Sequence, residues 1–247
     1  QNGVIATAKH FPGHGDTSRD SHLELPTISV SKNRLEKVEL PPFQAAIKAG
    51  TEAIMTAHLY VPALEQEVGL PATLSKNILT KLLRQELHFK GLTFTDAMTM
   101  HGITNHYSEL EAAVRAILAG ADIILHPPNI ETTFKGIIQA VRQGRISRYR
   151  LNQSVRRVLE AKAKLGLHNY SEVGPSNIDN YVGNLEHRQQ AQKIIESAVT
   201  LVRDQDNTLP IQLKPNNSVL ILTLMDSLRD GDSRGQNLPS GSLGRHR

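Results

Sequence analysis

The chain has 247 residues, 39% of them hydrophobic and 21% charged, with a formal net charge of +4. That length suits one large domain or one and a half ordinary ones, and no apolar run approaches the roughly 20 residues that cross a bilayer. Cysteine and tryptophan are absent and aromatics make up 4%, which excludes disulfides, thiolate metal sites and a cysteine nucleophile and argues against base-stacking nucleic-acid platforms.

An apolar strand is expected over residues 4–11. It runs into Lys9-His10-Phe11-Pro12-Gly13-His14-Gly15-Asp16-Thr17-Ser18-Arg19-Asp20-Ser21-His22, which packs three histidines, two aspartates, a lysine and an arginine into fourteen residues. The Pro-Gly at its centre cannot be helix interior. Backbone cost and crowded charge are tolerated mainly where a site needs them, so this loop reads as half of an active site. A helix is expected over 38–49, entered through Pro41-Pro42 and stopped by Gly50, because proline suits a first turn and glycine a C-terminus. A second strand over 53–58 ends in His58. Ser75 caps a helix to about residue 87, with Ile78, Leu79, Leu82 and Leu83 on one stripe, and Gly91 breaks it.

The third strand, 92–96, ends in Asp96; a helix over 109–118 stops at Gly120. A fourth strand is expected over 122–126, closed by Pro127-Pro128, followed by helices over 130–143 and 147–165. Strands alternating with helices over short connections predict a parallel sheet built of repeated βα units. The expected fold is therefore α/β, of the (β/α)8 barrel type. Each expected strand ends in a polar residue (His10, His58, Asp96, His126), and the C-terminal ends of barrel strands are where chemistry is built. Four units cannot close eight strands.

Beyond residue 168 the pattern changes. Residues 169–184 read as a polar linker, 185–225 as the start of a second α/β domain cut short, and 226–247 as a disordered tail. Within 185–225 an amphipathic helix over 185–199 precedes strands at Leu201-Val202 and at 219–222. The chain opens on Gln1-Asn2-Gly3 rather than Met, so a natural N-terminus and any signal peptide are expected upstream. The compartment, bacterial cytoplasm or exterior, is not legible, nor is the oligomeric state. The basic excess over 142–164 sits at helix-surface spacing and reads as a solvated face, though it weakly permits an anionic partner.

Histidine's ordinary pKa of about 6.5 suits proton exchange near neutrality. A carboxylate bonded to one ring nitrogen fixes its tautomer and favours the cation, and Asp20-Ser21-His22 lets a turn make that contact. Asp96, at a strand end, is placed rigidly enough for a nucleophile or electrostatic stabiliser; capping a following helix is the plainer alternative. Lys9 and His10 have donors for neutral hydroxyls. His10, His14 and His22 raise a metal site as a rival, but Pro12-Gly13 keeps His10 and His14 off one helix face, so no metal or cofactor is expected. For His58 and His126 a structural strand-end role is the leading reading, and stabilising its own loop is an alternative role for His14.

The run from Lys9 to Gly15, with Asp16-Thr17 and Asp20-Ser21-His22, resembles the signature of family 3 glycoside hydrolases of the β-N-acetylglucosaminidase branch. Ala53-Ile54-Met55-Thr56-Ala57-His58, Pro71-Ala72-Thr73-Leu74-Ser75, Gly91-Leu92-Thr93-Phe94-Thr95-Asp96-Ala97-Met98 and Ala119-Gly120-Ala121-Asp122 follow in that family's order. The resemblance covers about residues 3–215 and places the opening strand at about the fifth of a barrel, so that 1–168 is its C-terminal half and 185–225 begins a sandwich-like second domain. It implies a retaining exo-glycosidase that releases terminal β-linked N-acetylglucosamine from a small carbohydrate, with peptidoglycan fragments as the family expectation. Asp96 is then the nucleophile and His22, held by Asp20, the acid/base; Lys9, His10, His14 and Met98 contact the sugar. Retaining enzymes usually set two carboxylates about 5–5.5 Å apart, a spacing that a His–Asp dyad on a loop need not keep. A β-glucosidase or a phosphorylase is the rival within enzymes, and an inactive carbohydrate-binding remnant the rival outside them.

Overall fold

The computed structural model describes residues 3–17, 24–169 and 178–212, in two compact units divided between Glu172 and Val173. The first unit is α/β. Its sheet has three strands in the order β1 (Thr7–Phe11), β2 (Ala53–Thr56) and β3 (Leu92–Phe94), all parallel. Thr7 pairs with Ala53, and Ala53 with Leu92. The central strand is buried at Ala53, Ile54 and Thr56, as expected of a strand covered on both faces. Helices return the chain between strands, and the core fills the space between them: Phe11, Ile54, Leu79, Leu83 and Ala116 are wholly buried. Each large aliphatic side chain so removed from water contributes about 1.5–3 kcal/mol.

Element boundaries shift for local reasons. β1 begins at Thr7, and Val4 stands exposed. The first helix starts well before the expected Pro41-Pro42, at α1 (Lys32–Arg34), where the Arg34 amide donates to Ser31 Oγ. It passes through a π-wound turn, Leu35–Glu39, into α2 (Leu40–Lys48). The two prolines lack N–H donors, and the chain widens ahead of them so that the Leu40 amide bonds back to Leu35 O. The helix expected after Ser75 is present and wound as π over Asn77–Glu86, with Ser75 Oγ accepting from the Ile78 amide.

The fourth expected strand is corrected. Residues 122–126 lie alongside β3 but share only one bridge with it, Phe94 with Ile123. The Leu125 amide, which a regular ladder would send to a backbone carbonyl, donates instead to Thr95 Oγ1 at 2.8 Å. Proline follows at once and stops the pairing. Between β3 and that segment lie α3 (His101–Thr104), which no periodicity announced, and α4 (Glu109–Ala119), capped by Ser108 and ended by Gly120 at φ +135°. The unit's last two long helices are α5 (Ile130–Arg142) and α6 (Arg148–Lys164), capped by Asn129 and Ser147. Gly91 has no room for a side chain, since a Cβ there would collide with the Glu52 carbonyl.

The second unit contains α7 (Ile178–Tyr181), inside the stretch expected as linker, and α8 (Leu185–Ala198), capped by Asn184. No strand forms at Leu201-Val202, where both side chains are exposed: a strand needs a neighbour to take its backbone groups. The strand expected at 219–222 and the tail 226–247 lie outside the described residues.

Glu65 ties the loop after β2 to the π-wound helix. Its carboxylate accepts from Ser75 Oγ, Asn77 Nδ2 and the Glu67 amide. Burial pushes its pKa up, but the bonds from Ser75, Glu67, Asn77 and Gln66 outweigh it and hold the carboxyl below its ordinary 4.5. The native state then binds the proton less tightly than the unfolded chain. Glu65 stabilises fully above the unfolded pKa, and that contribution is lost as the pH falls through the folded one. In urea titrations at several pH values, wild type should exceed Glu65→Gln at pH 7, and the gap should narrow below pH 4.5. A gap independent of pH would contradict this.

Candidate active site

The C-terminal ends of β1 and β3 face one another across the end of β2. β1 delivers Lys9, exposed, and His10, half-buried. Its Lys9–His10 and Phe11–Pro12 peptide bonds are cis, and the pairing register with β2 shifts between Ala8 and Phe11. The chain then turns: the Gly13 amide donates to His10 O at 2.9 Å. Gly13 sits at φ +133°, where a Cβ would crowd Glu39; only glycine combines that dihedral with that approach. The turn brings the His14 ring edge-on to His10, centroids 6.3 Å apart. Lys9, His10, Gly13 and His14 share a cleft of about 510 Å³ with Glu39 and Phe43.

β3 delivers Asp96, whose side chain is 18% exposed. Oδ1 accepts from the next amide, Ala97, at 2.8 Å; Oδ2 lies 3.5 Å from His10 Nε2. Asp96 does not cap a helix: α3 starts at His101 with Met100 as its capping residue. The arrangement therefore offers an ordered carboxylate oxygen beside an imidazole, with an exposed ammonium on the neighbouring residue. Such a set can stabilise developing positive charge at one atom while donating to hydroxyls around it.

The other expected residues fall differently. Met98 is 3% exposed and belongs to the core, so it packs beneath the Asp96 turn. His126, at φ +45°, bonds through Nδ1 to Thr99 Oγ1 at 3.2 Å, on the exterior. Asp20 and His22 lie outside the described residues. Among the described residues no three metal-ligating side chains converge, and no helix is long and apolar enough to cross a membrane.

Two features escaped the sequence. Glu39 is 9% exposed and lines the cleft; Oε1 meets Arg34 at 3.2 Å while Oε2 has no hydrogen-bond partner among the described residues. Its place in Val38-Glu39-Leu40 carried no signal beyond helix polarity. His58, wholly buried just past β2, bridges Thr73 to the Asp96 turn: Nδ1 meets Thr73 Oγ1 and Nε2 meets Ala97 O. The apolar run before it announced a strand end but not that contact.

Residues 1–161 match the model of the glycosyl hydrolase family 3 N-terminal domain. A beta-N-acetylglucosaminidase/beta-glucosidase of Cellulomonas fimi is 30% identical over 98% of the chain and 44% of its own length. Beta-hexosaminidase A of Pseudoalteromonas piscicida is 33% identical over 91% of the chain and 40% of its own length. Among solved structures, a family 3 beta-N-acetylglucosaminidase from Paenibacillus superposes with a TM-score of 0.73 at 40% identity, over 82% of the chain and 39% of that protein. The beta-glucoside phosphorylase BglX superposes at 0.77 and 33%, over 85% and 39%. The chain thus spans less than half the length of these relatives.

Proposed function

Because this chain belongs to glycosyl hydrolase family 3, we propose that it supplies the nucleophile-bearing half of a (β/α)8 barrel in a retaining exo-glycosidase, with terminal β-linked N-acetylglucosamine as its substrate. One observation carries the reading: the ends of β1 and β3 bring His10 Nε2 to 3.5 Å from Asp96 Oδ2, beside Lys9.

In the proposed reaction an Asp96 oxygen attacks the anomeric carbon as the bond to the leaving oxygen breaks. The charge developing on the sugar is positive, and the carboxylate stabilises it at contact distance. His22, oriented by Asp20, gives its proton to the leaving oxygen. The same imidazole then takes a proton from water, whose oxygen attacks the anomeric carbon and releases Asp96. Lys9 and His10 donate to the sugar hydroxyls, and His14 closes that side of the cleft. Peptidoglycan fragments are the proposed natural substrate class. Residues 1–168 form the barrel half in this reading, 169–184 a connector and 185–225 the start of a second domain.

Phosphorolysis is the second reading, favoured by the likeness to a phosphorylase. A neutral imidazole repels an incoming phosphate less than a carboxylate would. The intact gene product should release 4-nitrophenol from its N-acetyl-β-glucosaminide at least tenfold faster, in kcat/KM, than from its β-glucoside. Free sugar as the product with phosphate present supports hydrolysis, and sugar 1-phosphate supports phosphorolysis. A preference for the glucoside would overturn the assigned substrate.

A further inference from the structure

A nucleophile must be aimed as well as present, and the turn that carries Asp96 is short. Its own hydrogen bond, from Ala97 N to Oδ1 at 2.8 Å, fixes the carboxylate only if the backbone of Ala97 is itself fixed. The Ala97 carbonyl is gripped from outside the turn by His58, 39 residues earlier, with Nε2 at 3.0 Å. The Met100 amide takes the carbonyl's second lone pair at 3.1 Å, and the following amide, Met98, donates to Leu125 O at 3.0 Å.

His58 is itself held. Its Nδ1 lies 2.8 Å from Thr73 Oγ1, which is also 3.0 Å from Ala57 O and 2.8 Å from Thr56 Oγ1. The Thr73 proton goes either to Ala57 O or Thr56 Oγ1, so that Nδ1 donates to Thr73, or to Nδ1. In both arrangements Nε2 carries a proton, because a carbonyl only accepts. A ring bonded at both nitrogens and wholly buried cannot turn without leaving buried polar groups unpaired.

We propose that His58 is the positioning residue of the nucleophile: through Nε2 it fixes the Ala97–Met98 peptide group and so the backbone of Ala97, whose N–H, across its Cα in the preceding peptide group, holds Asp96 Oδ1 and leaves Oδ2 directed at His10 and the substrate. His58 touches no reacting atom. The proposal rests on Asp96 being the nucleophile.

Two polar replacements separate the ring nitrogens. The side-chain amide of His58→Gln reaches the place of Nε2 and keeps the donor to Ala97; that of His58→Asn reaches only the place of Nδ1. In the intact gene product, His58→Asn should lower kcat about 10- to 100-fold with KM within twofold, the scale of a misplaced reacting group. His58→Gln should stay within threefold of wild type. If His58→Asn does not fold, Thr73→Val, which frees Nδ1, should lower kcat at least threefold at unchanged KM. The decisive arm uses Asp96→Gly with saturating azide, which attacks the anomeric carbon in place of the carboxylate and needs no aiming by Ala97. In that background the His58 or Thr73 variant should change the rescued rate less than twofold. An equal loss with azide, or no loss of kcat in the Asp96 enzyme, overturns the proposal. Turnover by Asp96→Gly without azide would instead overturn the assignment of Asp96 itself, before His58 is tested.

Discussion

Asp96→Asn should lower kcat in the intact gene product by about 10⁴-fold or more, as removal of a covalent nucleophile does elsewhere, while leaving the thermal midpoint nearly unchanged. That loss corresponds to about 5.5 kcal/mol of activation free energy. The asparagine side chain has nearly the same shape and keeps an oxygen to accept from the Ala97 amide, the bond that orders Asp96 at 2.8 Å. What it removes is the charge and the attacking lone pair beside His10. Only one strong hydrogen bond ends on this carboxylate among the described residues, and its side chain is 18% exposed. No buried charge loses its partner, so the stability change should stay within about 0.5 kcal/mol. Steady-state kinetics beside a melting curve reads both quantities. Undiminished turnover would sink the nucleophile assignment. A parallel collapse of activity and melting point would mean that Asp96 holds the fold rather than performs chemistry.

The residues of this site were legible because a polar residue closes each expected strand, and His10 and Asp96 stand in the densest motifs among them. Their meeting depends on three-stranded parallel order and a register of Thr7 on Ala53 on Leu92, which alternation of strands and helices predicts in kind. The finer structure was hidden for physical reasons. Prolines at 41 and 42 are good first-turn residues, so local preference places a helix start there. The chain instead begins the helix at Lys32, capped by Ser31, and absorbs the missing donors in a π turn. The apolar run at 122–126 has strand composition, yet a threonine hydroxyl takes the Leu125 amide, and composition does not record which acceptor wins. Met98 followed the motif of the Asp96 turn, but the side chain two positions on turns into the core. His58 reads as a strand terminus because its partners, Thr73 and Ala97, lie 15 and 39 positions away. Long-range bonds of that kind leave no periodicity.

Asp122 shows the same limit with the largest consequence for stability. Its place after Ala119-Gly120-Ala121 reads as the start of a strand, but its wholly buried carboxylate is where the unit's charged groups converge. Oδ2 accepts from Arg84 at 2.7 Å and from the Thr93 amide at 3.1 Å; Oδ1 accepts from Ser154 Oγ at 2.6 Å and Arg157 at 2.9 Å. The carboxylate thereby fastens the π-wound helix and α6 to β3. Burial, opposed by Asp122 and reinforced by Arg157 and Arg150, lowers the Arg84 pKa to about 10, so at pH 7 its guanidinium remains charged. Asp122→Ala leaves that cation, 12% exposed, without its counter-charge, and breaking a buried pair in this way costs about 3–5 kcal/mol. Against a total of about 5–15 kcal/mol for an ordinary domain, that is a fifth or more of the stability. The Lys135–Glu131 pair provides the contrast: its 2.6 Å separation is as short, but both side chains are over 70% exposed. Lys135→Ala should therefore cost less than about 0.5 kcal/mol. Urea unfolding of the two variants at pH 7 should separate them by at least 2 kcal/mol, about a thirtyfold ratio in folding equilibrium constant. Equal losses would show that the interior of this cluster is as well solvated as the surface, and that the carbonyls of Phe89 and Gly91, which also accept from Arg84, suffice to hold it.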